Sequence, residues 1–146
     1  MTCRIAPVVA ASVILASTTS CVTPRQQLPS ADASSLFADE VKPILERNCL
    51  RCHHGASPSR ALDLRNRTLA FASTQPDGRP FIVPGHPDRS LVVTAVSGTH
   101  PKMMPQQPLS LTDMDIGLLR DWISAGAWWP AGPDGELHAQ PNPENP

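Results

Sequence analysis

The sequence predicts a mostly α-helical fold: one small domain whose long proline- and glycine-rich loops wrap around a bulky non-protein group. Three observations carry this reading. Apolar residues recur at helical spacing in several short segments, and few stretches alternate with the period of two that marks a half-buried strand. Seventeen prolines and eight glycines among 146 residues break those segments apart and dictate loops between them. Large apolar side chains are scarce, with no tyrosine, three phenylalanines and three tryptophans, so a core made of protein alone would be thin.

In chain order, residues 1–20 read as an export signal. Arg4 supplies the positive start, "IAPVVAASVILA" is an apolar run of 12 residues, and small residues follow in "STTS". That run is shorter than the roughly 20 residues a membrane-crossing helix needs. Cleavage before Cys21 would give a lipoprotein anchored through that cysteine, but Thr18 stands where such sites usually carry leucine. Ordinary signal cleavage beside Cys21 is the alternative, and either places the mature chain outside the cytoplasm. Cys3 leaves with the signal. Residues 21–34 are polar and proline-bearing, as in a tether, and residues 131–146 carry Pro, Gly and Asn with no periodic apolar pattern, as in a flexible tail. The folded domain is then expected over residues 35–130.

Within it, Phe37, Val41, Ile44, Leu45 and Cys52 fall near helical spacing, with Ser34 or Ser35 as N-cap. Pro43 either kinks this helix or opens a shorter one. A short helix is expected over residues 66–72, and another over "LVVTAV", capped by Asp88 or Ser90. The last helix has the strongest pattern. Ser110-x-x-Asp113 resembles a capping box, Ile116, Leu119, Trp122 and Ile123 form an apolar stripe, and Gly126 suits a C-terminal stop.

The charge balance is 12 basic against 13 acidic residues, a net −1, which argues against a nucleic-acid partner. Charge is placed unevenly: Arg47, Arg51, Arg60, Arg65 and Arg67 lie around one short stretch, while Asp113, Asp115, Asp121, Asp134 and Glu136 lie in the last quarter. The simplest account is two solvated faces.

The stretch between those arginines, "CLRCHH" at residues 49–54, concentrates the chemistry. A structural zinc site usually takes four protein ligands as two spaced pairs, and here Cys49, Cys52 and one histidine make three. A redox-active Cys-x-x-Cys usually opens a helix after a strand, whereas this pair closes a helical segment. Cys-x-x-Cys-His is the attachment motif of c-type haem. On one helical turn the two thiols can reach the two vinyl groups, and His53 can present its imidazole to the iron. Export agrees with attachment outside the cytoplasm, and a haem supplies the missing apolar filler. His54 would point about 100° from His53 on a helix and reads as a surface residue. The opposite side of the iron calls for a soft thioether. Met103 and Met104, in a loop stiffened by Pro101, Pro105 and Pro108, are the candidates; His100 and His86 are rivals, and Met114 in the last helix is simpler as packing.

The order Phe37-x3-Val41-Lys42-Pro43-Ile44-Leu45-x3-Cys49-x2-Cys52-His53 resembles the start of a planctomycete-type cytochrome c domain, a branch of the small class I cytochromes. "LDLRNRTLAF", "IVPGHPDRSLVVTAV", "KMMP" and "PLSLTDMDIGLLRDWISAGAWWP" follow in that family's order, so the resemblance spans about residues 36–130. It implies a cytochrome c-like helical fold around one covalent haem c on Cys49 and Cys52, with His53 and a downstream methionine as axial ligands. The family's usual Lys-Met-Pro-Pro stands here as Lys102-Met103-Met104-Pro105; counting from the proline and from Pro108-Leu109-Ser110 selects Met104, counting from Lys102 selects Met103. His86 also departs, where the family often has an acidic residue. The expected function is an exported monohaem electron carrier, periplasmic or anchored through Cys21, serving a redox partner protein and not itself an enzyme. Leu62, Leu64, Leu91, Val92, Leu119, Trp122 and Ile123 are the expected haem-facing core. The competing accounts are a haem with a labile sixth ligand acting as peroxidase or gas sensor, and a zinc- or thiol-binding module.

Overall fold

The computed structural model describes residues 31–55, 61–101, 103–105 and 111–140. The export signal, Cys21, most of the expected tether, Arg60, Lys102 and Ser110 lie outside the described residues. Among those described, the secondary structure is helical, with one isolated antiparallel bridge between Thr74 and Pro80.

The first helical run departs from expectation in an instructive way. An α-helix Ala31–Ser35 (α1), a π-helical stretch Leu36–Val41 and an α-helix Lys42–Asn48 (α2) follow without a break. Neither Ser34 nor Ser35 is an N-cap, because the helix already starts at Ala31, inside the segment expected as tether. Pro43 neither breaks nor opens an isolated helix. Proline has no N–H to give, and its ring clashes with the carbonyl four residues back. The wider π-turn just ahead, with the Lys42 N–H donating to the Phe37 carbonyl, shifts the register at that point and lets the run continue.

The shorter helices follow the sequence closely. Asn66 caps Arg67–Ala72 (α3), its side-chain oxygen accepting from the Leu69 N–H at 3.1 Å. A 3₁₀ turn at Pro87–Arg89 leads into Leu91–Val96 (α4). Ser90 precedes α4 but caps nothing with its side chain. It is fully buried instead, accepting from the Val83 N–H at 2.9 Å and bonding the His86 carbonyl at 3.0 Å, so it pins the preceding loop onto α4. The last helix is Asp113–Ser124 (α5). Its capping box is Thr112 with Asp115, two residues later than Ser110 and Asp113, because two overlapping Ser/Thr-x-x-Asp patterns occur there. At the other end Gly126, at φ +101°, donates to the Ile123 carbonyl and Ala127 to the Trp122 carbonyl, a Schellman close.

The core is richer than the composition suggests, because the few aromatics are concentrated. The Phe37 ring lies 5.0 Å from Trp129 and 6.1 Å from Trp122, and those two indoles are 6.0 Å apart. Phe71 adds its edge to Trp129 at 6.5 Å. Both buried indoles satisfy their N–H groups, Trp122 on the Trp128 carbonyl and Trp129 on the Gly135 carbonyl, each at 2.7 Å. Val41, Ile44, Leu45, Leu64, Val93, Leu119 and Ile123 complete the packing. Of the expected haem-facing residues, all are buried except Leu91, which is half-buried.

The segment expected as a flexible tail is docked as far as Gln140. A 3₁₀ turn at Pro133–Gly135 places Gly135 so close to Pro130 that a Cβ there would collide with the Pro130 carbonyl. Leu137 is buried and its N–H donates to the Arg65 carbonyl at 2.9 Å. Lys42 Nζ reaches the Asp134 carbonyl at 3.1 Å. Glu46, a buried carboxylate on α2, accepts from the His138 N–H at 3.0 Å and from Gln140 Nε2 at 2.9 Å. Hydrogen bonds to a charged acceptor each contribute about 1.5–3 kcal/mol. Glu46→Ala is therefore expected to lower unfolding stability by about 2 kcal/mol and to expose residues 131–140 to limited proteolysis. Urea unfolding followed by tryptophan fluorescence, with a protease digest, checks both.

Candidate functional site

The motif sits on the turn that ends α2. Cys49 is the C-cap residue, still helical at φ −117° and ψ −47°, and its N–H donates to the Leu45 carbonyl. The Leu50 N–H reaches the same carbonyl at 2.8 Å, and the buried Leu50 side chain anchors the turn in the core. The N–H groups of Cys52 and His53 then converge on the Cys49 carbonyl, at 3.1 and 2.9 Å. One helical turn thus carries both thiols and the imidazole. The Leu64 N–H donates to the His53 carbonyl at 2.9 Å, tying the motif to a fully buried leucine in the next loop.

The two thiols differ. Cys49 is half-buried and packed against the core, and burial, with Cys52 close by, pushes its thiol up to about 12. It therefore stays protonated at neutral pH, unlike the thiolates that ligate metals or exchange disulfides. Cys52 is exposed, and both are free thiols. Among the described residues no three His, Cys, Asp or Glu side chains converge as a metal-binding group.

A second pair closes the loop behind the motif. Arg65 and Asp63 form an ion pair at 2.7 Å, pressed so close to Gly55 that a side chain there would run into the guanidinium. Hydrogen bonding to Arg65 holds the Asp63 carboxyl below the usual carboxylate range. His54 also contributes to lowering it, and it is half-buried and not fully on the surface as expected. The Asp63–Arg65 pair and Glu46 carry no signal in the sequence. Their partners are set by the loop path or lie 92 and 94 residues away.

The methionine step lies beside α4. The Met104 N–H donates to the Ala95 carbonyl at 2.9 Å, and Met104 is half-buried. Met103 is 61 % exposed and Met114, on α5, is 76 % exposed. His86 is exposed and His100 half-buried. Val96 on α4, Leu118 on α5 and Leu111 just ahead of α5 are partly buried apolar residues packed against the same core as Cys49. This donor set fits a haem attached through two thioethers: a pair of thiols on one turn, an adjoining imidazole, a half-buried methionine and an apolar surround.

No curated protein and no solved structure matches the chain. Residues 49–107, from the first cysteine of the motif to just past the Met-Met-Pro step, match the family model described as Planctomycete cytochrome C. That match covers less than half of the chain and supports the resemblance to a planctomycete-type cytochrome c domain seen in the sequence.

Proposed function

We propose that this protein is an exported monohaem cytochrome c that carries single electrons between partner proteins. The observation that carries the reading is the reach of the family match, which takes in both the Cys-x-x-Cys-His turn and the methionine step within one segment. Cys49 and Cys52 hold the haem as thioethers, formed by addition of each S–H across a vinyl group. His53 through its imidazole and Met104 through its thioether sulfur would ligate the iron. Bound there, haem supplies a one-electron Fe(III)/Fe(II) couple. The residues around it do the rest. Cys49 and Leu50 seat the turn in the core, and Val96, Leu111 and Leu118 exclude water, which favours the less charged ferrous form. A half-buried Met104 with its backbone tied to α4 is the better candidate than the exposed Met103, because a ligand held by its own backbone costs less to order.

Two protein ligands leave no open position for substrate, so the reading is a carrier and not an enzyme. The test is the visible spectrum, oxidised and reduced, of protein matured in a host competent for cytochrome c assembly, with a haem-stained denaturing gel. Covalent haem with the weak far-red band of methionine-ligated ferric iron supports the proposal. Covalent haem without that band moves the ligand to His100 or leaves a reactive site, and absence of haem overturns the reading. Met104→Ala is expected to keep the haem, lower the potential and let CO bind the reduced protein; Met103→Ala is expected to change neither. Axial ligands command about 0.8 V of haem potential, so a redox titration resolves the difference easily.

A further inference from the structure

We infer that residues 134–140 form a clamp that holds the Cys-x-x-Cys-His turn from both flanks, with Glu46 as its positioning residue. In the sequence this segment reads as a flexible tail. In the fold, two of its consecutive backbone N–H groups bond to opposite flanks of the turn. The Leu137 N–H donates to the Arg65 carbonyl at 2.9 Å, beyond the motif, and the His138 N–H donates to the Glu46 carboxylate at 3.0 Å, ahead of it.

Each of these bonds lands one residue away from a group that holds the turn itself. Next to Glu46 is Leu45, whose carbonyl accepts from both Cys49 and Leu50. Next to Arg65 is Leu64, whose N–H donates to the His53 carbonyl. The residues from Cys49 to His53 are thus strung between two anchor points joined by one segment. That segment is itself seated: Leu137 is buried, and the Asp134 carbonyl accepts from Lys42 Nζ at 3.1 Å. Gln140 Nε2 donates to the second oxygen of Glu46 at 2.9 Å. Glu46 is only 7 % exposed, and among the described residues its carboxylate accepts only from this segment. A buried carboxylate without partners is costly. When the clamp opens, water must therefore reach Glu46 or α2 must shift to expose it. Either loosens the end of α2, where Cys49 is the C-cap. The bearing on haem rests on the carrier reading above: a looser turn admits water, which favours the more charged ferric form.

The test is hydrogen exchange, read amide by amide by NMR, on the full chain matured with haem and kept reduced. Glu46→Ala is expected to lower the protection of the His53 and Leu64 amides about tenfold or more. Phe37→Leu, which loosens the aromatic cluster, is expected to lower protection in α5 and leave those two amides unchanged. Glu46→Gln is expected to restore most of the protection, because its amide oxygen still accepts from the His138 N–H and its nitrogen can donate to a rotated Gln140. Gln140→Ala, which removes one bond, is expected to give a smaller loss at the same two amides, and it decides the question if Glu46→Ala fails to fold. In a redox titration Glu46→Ala is expected to lower the haem potential with the haem stain unchanged, and Glu46→Gln to stay close to the parent. Turn amides as protected in Glu46→Ala as in the parent, or an equal loss in Phe37→Leu, would overturn the clamp. Lost protection with an unmoved potential would overturn Glu46 as a positioning residue. A parent protein without a Soret band overturns the carrier reading, while exchange at His53 and Leu64 still decides the clamp.

Discussion

Cys49→Ser combined with Cys52→Ser is expected to remove covalent haem completely, leaving no haem stain on a denaturing gel. Each thiol makes one thioether, and serine offers no sulfur to add across a vinyl group. The consequence for folding is graded. Composition alone implies that the chain cannot close a core without the cofactor. The structure contains a protein-only cluster, Phe37 with Trp122 and Trp129, at the opposite end of the first helical run from the motif. The double variant is therefore expected to keep a cooperative but weaker unfolding transition, because a ligand bound only by the native state adds its binding free energy to stability. Tryptophan fluorescence during urea unfolding reads this directly. A broad, non-cooperative change would mean that the haem and not the aromatic cluster organises the core.

Trp129→Ala is expected to cost about 3–5 kcal/mol, the range for truncating a buried large aromatic. Small domains have about 5–15 kcal/mol in total, so this one change takes a large share. The indole is 2 % exposed, faces Phe37, Trp122 and Phe71, and donates to the Gly135 carbonyl. Its loss opens a cavity and releases the turn that starts the docked C-terminal segment. Trp129→Phe keeps most of the volume and loses the hydrogen bond, so a smaller loss of about 1–2 kcal/mol is expected. Urea midpoints of the two variants check the order, and a loss below about 1 kcal/mol for the alanine variant would show that the cluster does not carry the fold.

Features whose physics is local were legible in the sequence. Two thiols and an imidazole within five residues form a local pattern, so the turn that carries Cys49, Cys52 and His53 announces itself by spacing. Gly126 after α5 announces itself because capping is satisfied within four residues, whereas Asn66, expected inside its helix, caps it instead. The π-helical stretch was not legible. Pro43 signals trouble for a helix, but the register change that resolves it depends on α5 packing against Leu36–Val41 as well as on the proline. The capping box of α5 was displaced by two residues because both Ser110 and Thr112 satisfy the same pattern, and only the docked position of the helix chooses between them.

By itself, then, the sequence determined a helical class, the approximate helices and the close spacing of the Cys-x-x-Cys-His residues on one turn. Tertiary structure decided matters that depend on partners far away in the chain. It buried Met104 more than its twin Met103 by tying one backbone N–H to Ala95. It turned an expected tail into a docked strap, because a buried carboxylate at Glu46 and an apolar site for Leu137 were waiting for it. Among the described residues it paired Arg65 with Asp63 and gave Arg47 and Arg51 no ion pair. The physical reason is common to all three. Helical periodicity and capping are set by neighbours within a turn or two, whereas burial and charge compensation are set by whichever distant segment the closed fold brings alongside.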